Sequence, residues 1–252
     1  MRRPPGWVPN QHGAWAMLVL PVAVGALRAG PRWDHLHLLV AWLVAYLAFF
    51  AAGTWLRSRR RARYRPALVT YAGAAAVVGA PLLLRHPELV RWAVVYAPLL
   101  ATSLWFSHRR ADRHLVNDLV TVTAACVMTV VAYGLRAPDD GVWLPGAGEG
   151  TAWVLATVLL AYLAGTALYV KTMIRERGNP VMYRVSVAYH ALVAAILLGL
   201  LPVVGVVFVV IAARAALVPH RWPSARPPAI GIGEVVASVV LGAVLVLVPL
   251  GL

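Results

Sequence analysis

The sequence is short of charge for its length. Only 13% of its 252 residues are Asp, Glu, Lys or Arg, only 9 are acidic, and 61% are hydrophobic. A water-soluble chain of this size could not bury so much apolar surface, which excludes an ordinary soluble domain. The sequence also has a single cysteine, Cys126, inside an apolar run. One cysteine excludes an intrachain disulfide, and its position predicts a packed thiol rather than redox chemistry.

Motifs of the common soluble enzymes are absent as well. The sequence has no Gly-x-Ser-x-Gly nucleophile elbow, no His-Glu-x-x-His zinc helix, no Walker phosphate loop and no dinucleotide fingerprint. Asp118 has no acidic neighbour at i+3 or i+4, and the loop of Asp139, Asp140 and Glu149 lacks any ligand spacing. The sequence therefore predicts no metal and no cofactor.

What the sequence does contain is a series of long apolar runs. Residues 36–50, 153–170 and 235–250 are each long enough, or nearly so, to cross a hydrocarbon core of about 30 Å as a helix. Divided at charged residues, prolines and glycines, the chain is predicted to form nine helices, at residues 14–30, 36–56, 67–84, 91–106, 115–134, 152–171, 183–200, 203–218 and 232–250. This pattern predicts an all-α, polytopic membrane bundle of about nine transmembrane helices, forming one membrane-embedded domain over residues 1–252.

The basic residues favour one orientation in the membrane. With the amino terminus in the cytoplasm, most of the 23 basic residues fall in loops on the cytoplasmic side. The net charge of +14 is then explained by membrane insertion better than by nucleic acid, so no nucleic-acid partner is predicted. We expect a multi-pass protein of the bacterial inner (cytoplasmic) membrane with membrane lipids as partners. The sequence does not specify protein partners.

Polar side chains at the predicted cytoplasmic ends of the helices form the candidate site. Placing such groups in a membrane helix costs free energy, so those that occur there are candidates for function. They comprise Asn10, Gln11, His12 and Trp15 at the first helix, Arg57 and Arg61 after the second, Asn117 and Asp118 at the fifth, Lys171 and Arg175 at the end of the sixth, and His190 in the seventh.

Two basic pairs in this set have helical spacing. Arg57 and Arg61, like Lys171 and Arg175, are four residues apart and would share a helical face if each helix continues that far. A guanidinium fork matches phosphate or carboxylate oxygens, so these pairs would hold an anionic group. The alternative is that they are ordinary cytoplasmic charges in contact with lipid headgroups.

Three other polar residues are candidates for catalysis. His12 precedes Gly13, which permits close backbone approach, and with Asn117 and Asp118 it would orient a second substrate or move a proton. Two structural alternatives stay open at this point, since Asp118 could form a salt bridge with a nearby arginine and His190 could be a hydrogen-bonded packing residue.

Two further charges lie inside or near the ends of apolar helices. Arg214 could extend to the interface, and Glu234 could either pair with it or be a carboxylate favoured by the start of the ninth helix. Neither interpretation identifies a reaction.

Two segments resemble a known family. They are WVPNQHGAWAM from Trp7 to Met17, followed by Pro21, and YVKTMIRER from Tyr169 to Arg177, with the helix around His190. On these segments the sequence resembles the YwiC-like family of bacterial integral membrane proteins over nearly its whole length. The resemblance implies a membrane protein and carries no biochemical function with it.

The predicted helix count, orientation and cytoplasmic polar cluster are also similar, more distantly, to the UbiA superfamily of intramembrane prenyltransferases. In that superfamily, Asp-rich motifs after the second and sixth helices hold Mg²⁺ on a polyprenyl diphosphate. The matching positions here, residues 53–61 and 169–176, carry cations in place of the paired carboxylates. Mg²⁺ requires oxygen ligands and is repelled by arginines, which excludes the usual mechanism but not an anionic ligand.

The sequence therefore predicts a UbiA-like bundle whose cytoplasmic cationic pocket binds an anionic isoprenoid or other amphiphilic lipid, either as a lipid-binding protein or as a metal-independent prenyltransferase-like enzyme. Two alternatives stay open. A small-anion transporter would need paired broken helices, which the sequence does not show. A non-catalytic subunit of a membrane complex would need only small residues and apolar packing on its helices.

Overall fold

The computed structural model describes residues 7–9, 13–136 and 141–250, and in those ranges the chain is entirely helical, without strands. Nine α-helices follow one another along the described chain: α1 Gly13–Ala29, α2 Trp33–Arg57, α3 Arg65–Arg85, α4 Ala93–His108, α5 Leu115–Gly134, α6 Gly150–Val170, α7 Pro180–Leu200, α8 Pro202–Arg221 and α9 Pro227–Leu247. Short 3₁₀ turns at Ala62–Tyr64 and Pro87–Trp92 precede α3 and α4, and a π-helical turn at Lys171–Arg175 follows α6.

Most of these helices have the length and composition of membrane spans. Eight of those in the described ranges, α2 to α9, are long and apolar enough to cross a bilayer. The remaining one, α1, has 17 residues, whereas each of the eight candidate spans has at least 20 when α4 is counted with the 3₁₀ turn that precedes it. This arrangement confirms the prediction of an all-α, polytopic membrane protein.

Proline sets the starts of three helices that the hydrophobic pattern places later in the chain. Pro180, Pro202 and Pro227 occupy the first turns of α7, α8 and α9, where proline costs no hydrogen bond. The Asn179 side-chain oxygen also accepts hydrogen bonds from two backbone N–H groups at the start of α7, at 3.0 and 3.3 Å. Proline at the first helical position, together with the Asn179 cap in α7, therefore sets these starts rather than hydrophobicity alone.

The chain divides into two compact units, residues 1–156 and 157–252. In the first unit α2 packs along α3, and α1 packs along α5. Val22, Leu38 and Val130 belong to one buried apolar cluster that joins α1, α2 and α5. The buried His35 ring adds a polar contact, with Nε2 2.9 Å from the carbonyl oxygen of Ala132.

The two ends of the α2 and α3 pair differ in charge. At one end Arg85 forms a 2.8 Å ion pair with Asp34, and the His86 ring lies between Asp34 and Glu88. At the other end the chain from Arg57 to Arg65 carries six arginines in nine residues and no acidic residue. This asymmetry is the kind on which the positive-inside rule relies, and the orientation in the membrane stays a prediction.

In the second unit α7 and α8 form a hairpin joined by one residue, Leu201. The two helices approach so closely that a Cβ atom on Gly205 would lie 2.3 Å from the Cα atom of Leu198. The Tyr183 hydroxyl also donates a 3.0 Å hydrogen bond to the carbonyl oxygen of Ala216. Only glycine permits this backbone approach, so Gly205 sets the geometry of the hairpin.

Candidate functional site

Arginines with unusual backbone conformations mark the ends of α2 and α4. Arg59, Arg60 and Arg110 have φ values of 58°, 60° and 58°, in the left-handed region that non-glycine residues seldom adopt. Each such residue costs on the order of 1 kcal/mol, and such strain concentrates at functional sites. These residues lie in the turns that directly follow the two helices.

A depression of about 300 Å³ lies at this end of the first unit. Four arginine side chains and three neutral polar ones line it, without any carboxylate: Thr54, Arg57, Ser58, Arg61, Arg63, Tyr64 and Arg110. A neighbouring depression of about 430 Å³ shares Arg110 and is lined by Leu56, Arg59, Arg60, His108 and Arg109 as well. We refer to the first as the arginine depression.

Arg57 is held in place at the wall of the arginine depression. Its guanidinium forms a 3.1 Å ion pair with Asp112, whose other carboxylate oxygen accepts a 2.6 Å hydrogen bond from Ser107. The Arg110 Nε–H donates a 3.2 Å hydrogen bond to the carbonyl oxygen of Arg57. Because Arg57 already has a carboxylate partner, the depression's unpaired positive charge comes chiefly from its other arginines.

The structure places Arg57 and Arg61 together, but not on one helical face. The α2 helix ends at Arg57, and the left-handed residues Arg59 and Arg60 then reverse the chain. The condition for a shared face, a helix continuing to Arg61, is therefore not met. Both residues nevertheless line the arginine depression, because the turn brings Arg61 back.

Lys171 and Arg175 lie at the two ends of the π-helical turn in the second unit. Lys171 is buried, whereas Arg175 is exposed. The wider π turn replaces the α-helical spacing that would have placed them on one face. The predicted pairing of these two cations on one anion stays a prediction.

The buried amide of Asn117 is engaged on both sides in the first unit. Its oxygen accepts a 2.7 Å hydrogen bond from Ser103, and its nitrogen donates one of 2.8 Å to the carbonyl oxygen of Asp112. Asp118 follows at the start of α5 and is half-buried. These contacts join α4 to α5, and a catalytic role for either residue stays a prediction.

The predicted residues at the amino terminus fall mostly outside the described residues. Asn10, Gln11 and His12 lie there, and their roles stay predictions. Trp15 is described, and its ring packs edge-to-face on Tyr46 with centroids 6.1 Å apart. The contact fastens α1 to α2 and leaves about a third of Trp15 exposed.

Inside the second unit, a charged pair lies among membrane helices. Arg214 of α8 is 2.6 Å from Glu234 of α9, which confirms the pairing that the sequence left open. The other Glu234 oxygen accepts a 2.9 Å hydrogen bond from Thr166, and the Arg214 guanidinium lies 4.3 Å above the ring of Tyr169. The pair is thus connected to α6 as well.

His190 lies deeper along α7 and is buried. Its Nδ1 is 2.7 Å from the carbonyl oxygen of Ser186, so Nδ1 carries the proton and Nε2 is an acceptor. Nε2 and the Ser186 hydroxyl are both buried without a hydrogen-bond partner among the described residues. The ring packs against α6 at Gly165, where a Cβ atom would lie 2.9 Å from Nε2.

Sequence reasoning missed several residues around the arginine depression and around the pair of Arg214 and Glu234. Thr54, Arg63 and Arg110 line the arginine depression, and Tyr162, Thr166 and Tyr169 surround Glu234. The sequence does indicate the residues around Glu234, because Tyr162, Thr166 and Tyr169 of α6 have the spacing of one helical face. No group of three or more His, Cys, Asp or Glu side chains in the described ranges could hold a metal ion.

The helices and the charge distribution define a class of protein, a multi-pass helical membrane protein with an arginine-rich end. A model of the YwiC-like protein family matches residues 8–133, half of the chain. The chain therefore belongs to the YwiC-like family, as the resemblance predicted.

Two relatives support this assignment. The chain is 29% identical over 186 residues to the uncharacterized protein YwiC of Bacillus subtilis (strain 168), covering 73% of this chain and 74% of the relative. It is 28% identical over 191 residues to an uncharacterized protein of Haemophilus influenzae (strain ATCC 51907 / DSM 11121 / KW20 / Rd), covering 75% and 76%. No solved structure matches the chain significantly, and the relationship to the UbiA superfamily stays a prediction.

Proposed function

We propose that this protein binds an anionic amphiphilic lipid, an isoprenoid phosphate or a related species, through the arginine depression on the cytoplasmic side of a bacterial inner membrane. The observation that supports this proposal is a cavity of about 300 Å³ lined by four arginines and no carboxylate. The lining of the arginine depression does not include Lys171, Arg175, Asn117 or Asp118.

The position of the depression suits an amphiphile. It lies where α2 ends and α3 begins, so the end of an apolar span meets a cluster of guanidinium groups. A phosphate head can take charge-assisted hydrogen bonds from several arginines while its chain stays in the hydrocarbon region. Thr54 and Tyr64 add hydroxyl groups that can donate to the same oxygens, whereas the Ser58 hydroxyl already donates a 2.7 Å hydrogen bond to the carbonyl oxygen of Trp55.

The Arg63 side chain is directed by its neighbour. Its guanidinium lies 4.9 Å from the ring centroid of Tyr64 and donates a 3.1 Å hydrogen bond to the Tyr64 hydroxyl. Such a contact reduces the entropy that a long exposed side chain loses when it binds. Arg61 also lines the depression, and unlike Arg57 it is not the residue paired with Asp112. Arg61 and Arg63 are therefore the residues to change when lipid binding is tested.

Removing these two charges is expected to release the bound lipid. We expect the variant Arg61→Gln with Arg63→Gln to lose about tenfold or more of the co-purifying anionic lipid, because two exposed charge contacts of up to about 1 kcal/mol each are lost. Native mass spectrometry of protein purified in mild detergent measures the retained species and identifies whether it carries an isoprenoid or an acyl chain.

The matched control removes two arginines that do not line the depression. The variant Arg65→Gln with Arg184→Gln makes the same change in net charge at exposed positions. It is expected to retain the lipid. Equal lipid content in the natural protein and both variants, or only bulk phospholipid in all three, would contradict the proposal.

The proposed orientation is tested by cysteine labelling, since Cys126 is buried. Val142→Cys lies in the loop between α5 and α6, and Ser224→Cys lies in the loop between α8 and α9. In spheroplasts, a membrane-impermeant maleimide is expected to label Val142→Cys directly and Ser224→Cys only after permeabilisation. The natural protein, with Cys126 alone, is the unlabelled control, and the reverse pattern would place the arginine depression on the outer side.

A further inference from the structure

The Arg214 and Glu234 pair lies well inside the membrane helices of the second unit. Arg214 precedes the last residue of α8, Arg221, by seven positions, and Glu234 follows the first residue of α9, Pro227, by seven. At 1.5 Å per residue, each charge is about 10 Å along the helix from that end. An ionisable pair at such a depth is costly to maintain and is a candidate site by default.

Both groups of the pair keep unused hydrogen-bonding capacity, because Arg214 Nη2 and Glu234 Oε1 form an ion pair but have no hydrogen-bond partner among the described residues. One carboxylate oxygen faces Arg214 at 2.6 Å and the other accepts from Thr166 at 2.9 Å. The Arg214 Nε–H group is buried and has no hydrogen-bond partner among the described residues. About a fifth of the Arg214 side chain is exposed, but Nε and Nη2 are buried, so an incoming carboxylate must displace that of Glu234 to reach them.

The charges of this pair link proton uptake to anion binding. While Glu234 is ionised, the pair is neutral and Arg214 has its counter-ion. When Glu234 gains a proton, the pair carries one net positive charge in a medium of low dielectric constant, which is strongly unfavourable. An anion that takes the place of the carboxylate on Arg214 restores neutrality.

We infer that Arg214 and Glu234 form an intramembrane site that binds one organic monocarboxylate together with one proton. The incoming carboxylate replaces that of Glu234 on the Arg214 guanidinium, and Glu234 takes the proton from the aqueous phase, so the site is neutral before and after. A carboxylate is the expected class because the geometry already fits one. This site is separate from the arginine depression and does not depend on the proposed lipid.

Other polar groups around the pair support the same inference. The Tyr162 hydroxyl of α6 donates a 3.1 Å hydrogen bond to the backbone carbonyl oxygen of Glu234, and the Tyr169 ring lies against the Arg214 guanidinium. The positive charge of Arg214 also acts on His190 of α7. The Ser186 hydroxyl and His190 Nε2 are at least nine-tenths buried, lie one turn apart on α7 and lack hydrogen-bond partners among the described residues. In a membrane interior such unpaired groups favour a polar ligand over an empty apolar core.

Proton-linked binding can be measured directly on the purified protein. With acetate and benzoate as probes, titration calorimetry between pH 5 and 8 is expected to show affinity falling about tenfold per pH unit where Glu234 loses its proton. A weakly buffered sample with an indicator dye is expected to show one proton taken up for each anion bound. Inorganic phosphate, tested in parallel, distinguishes carboxylates from phosphates.

The variant Glu234→Gln keeps the shape of the side chain and removes the proton site. We expect it to bind the same probes with a pH-independent affinity and without proton uptake. Glu176→Gln, at an exposed carboxylate of the same unit, is the matched control and is expected to behave like the natural protein. Absence of carboxylate binding in the natural protein, binding without proton uptake, or binding of phosphate alone would each overturn the inference.

Discussion

Replacing Arg214 by leucine is expected to lower the free energy of unfolding by about 4 kcal/mol at pH 7. The change leaves the Glu234 carboxylate buried without the counter-ion that lies 2.6 Å away. The loss is limited because Glu234 can become protonated, and protonating an ordinary carboxyl group at pH 7 costs about 4 kcal/mol. The loss is therefore expected to be smaller at pH 5. Unfolding in mixed micelles with increasing SDS, followed by tryptophan fluorescence, measures both values.

The double variant separates the charge from the packing. Changing Arg214 and Glu234 together to leucine removes both charges, and most of the lost stability is expected to return. Arg184→Leu, at an exposed position in α7, is the control for loss of an arginine and is expected to change stability by less than about 0.5 kcal/mol. If the single Arg214 variant is as stable as this control, the buried ion pair does not hold α8 to α9.

Replacing Gly205 by alanine is expected to lower the free energy of unfolding by about 3 kcal/mol. The added Cβ atom would lie 2.3 Å from the Leu198 Cα atom and 2.4 Å from its backbone nitrogen. Neither atom belongs to a flexible side chain, so α7 and α8 must separate, and overpacking of this kind typically costs 1–3 kcal/mol or more. The same SDS titration measures the effect.

A neighbouring glycine is the control for this substitution. Gly199, in the last turn of α7, has no atom within 4 Å of its added Cβ position. Gly199→Ala is expected to be neutral or to stabilise by up to about 1 kcal/mol, because alanine has the higher helix propensity. Equal effects of the two substitutions would show that helix propensity, rather than close backbone approach, determines the outcome.

The sequence predicted the helices well wherever hydrophobicity alone sets the boundary. The predicted fifth helix, residues 115–134, coincides with α5, Leu115–Gly134. The predicted ninth helix, residues 232–250, was displaced from α9, Pro227–Leu247, because the prolines at its start are compatible with the first helical turn. The π-helical turn at Lys171–Arg175 was not predictable, since it leaves no distinct hydrophobic period.

The candidate sites were predicted only in part. The arginines after α2 were identified as a cluster, but their depression depends on Arg59, Arg60 and Arg110 adopting left-handed backbone conformations. Arginine has no preference for that conformation, so the sequence carries no sign of it. The Arg57 ion pair with Asp112 likewise joins residues far apart in the chain, which helical spacing cannot reveal.

The one-residue connection between α7 and α8 also bears on how the protein enters the membrane. Because only Leu201 lies between these helices, almost no polar chain must be translocated to the far side when they insert. Their backbone groups are paired within the helices, so the hairpin can leave the insertion machinery as one preassembled element. The two helices α7 and α8 would then insert into the membrane in one step, and a longer polar connection between them would make their insertion two separate steps.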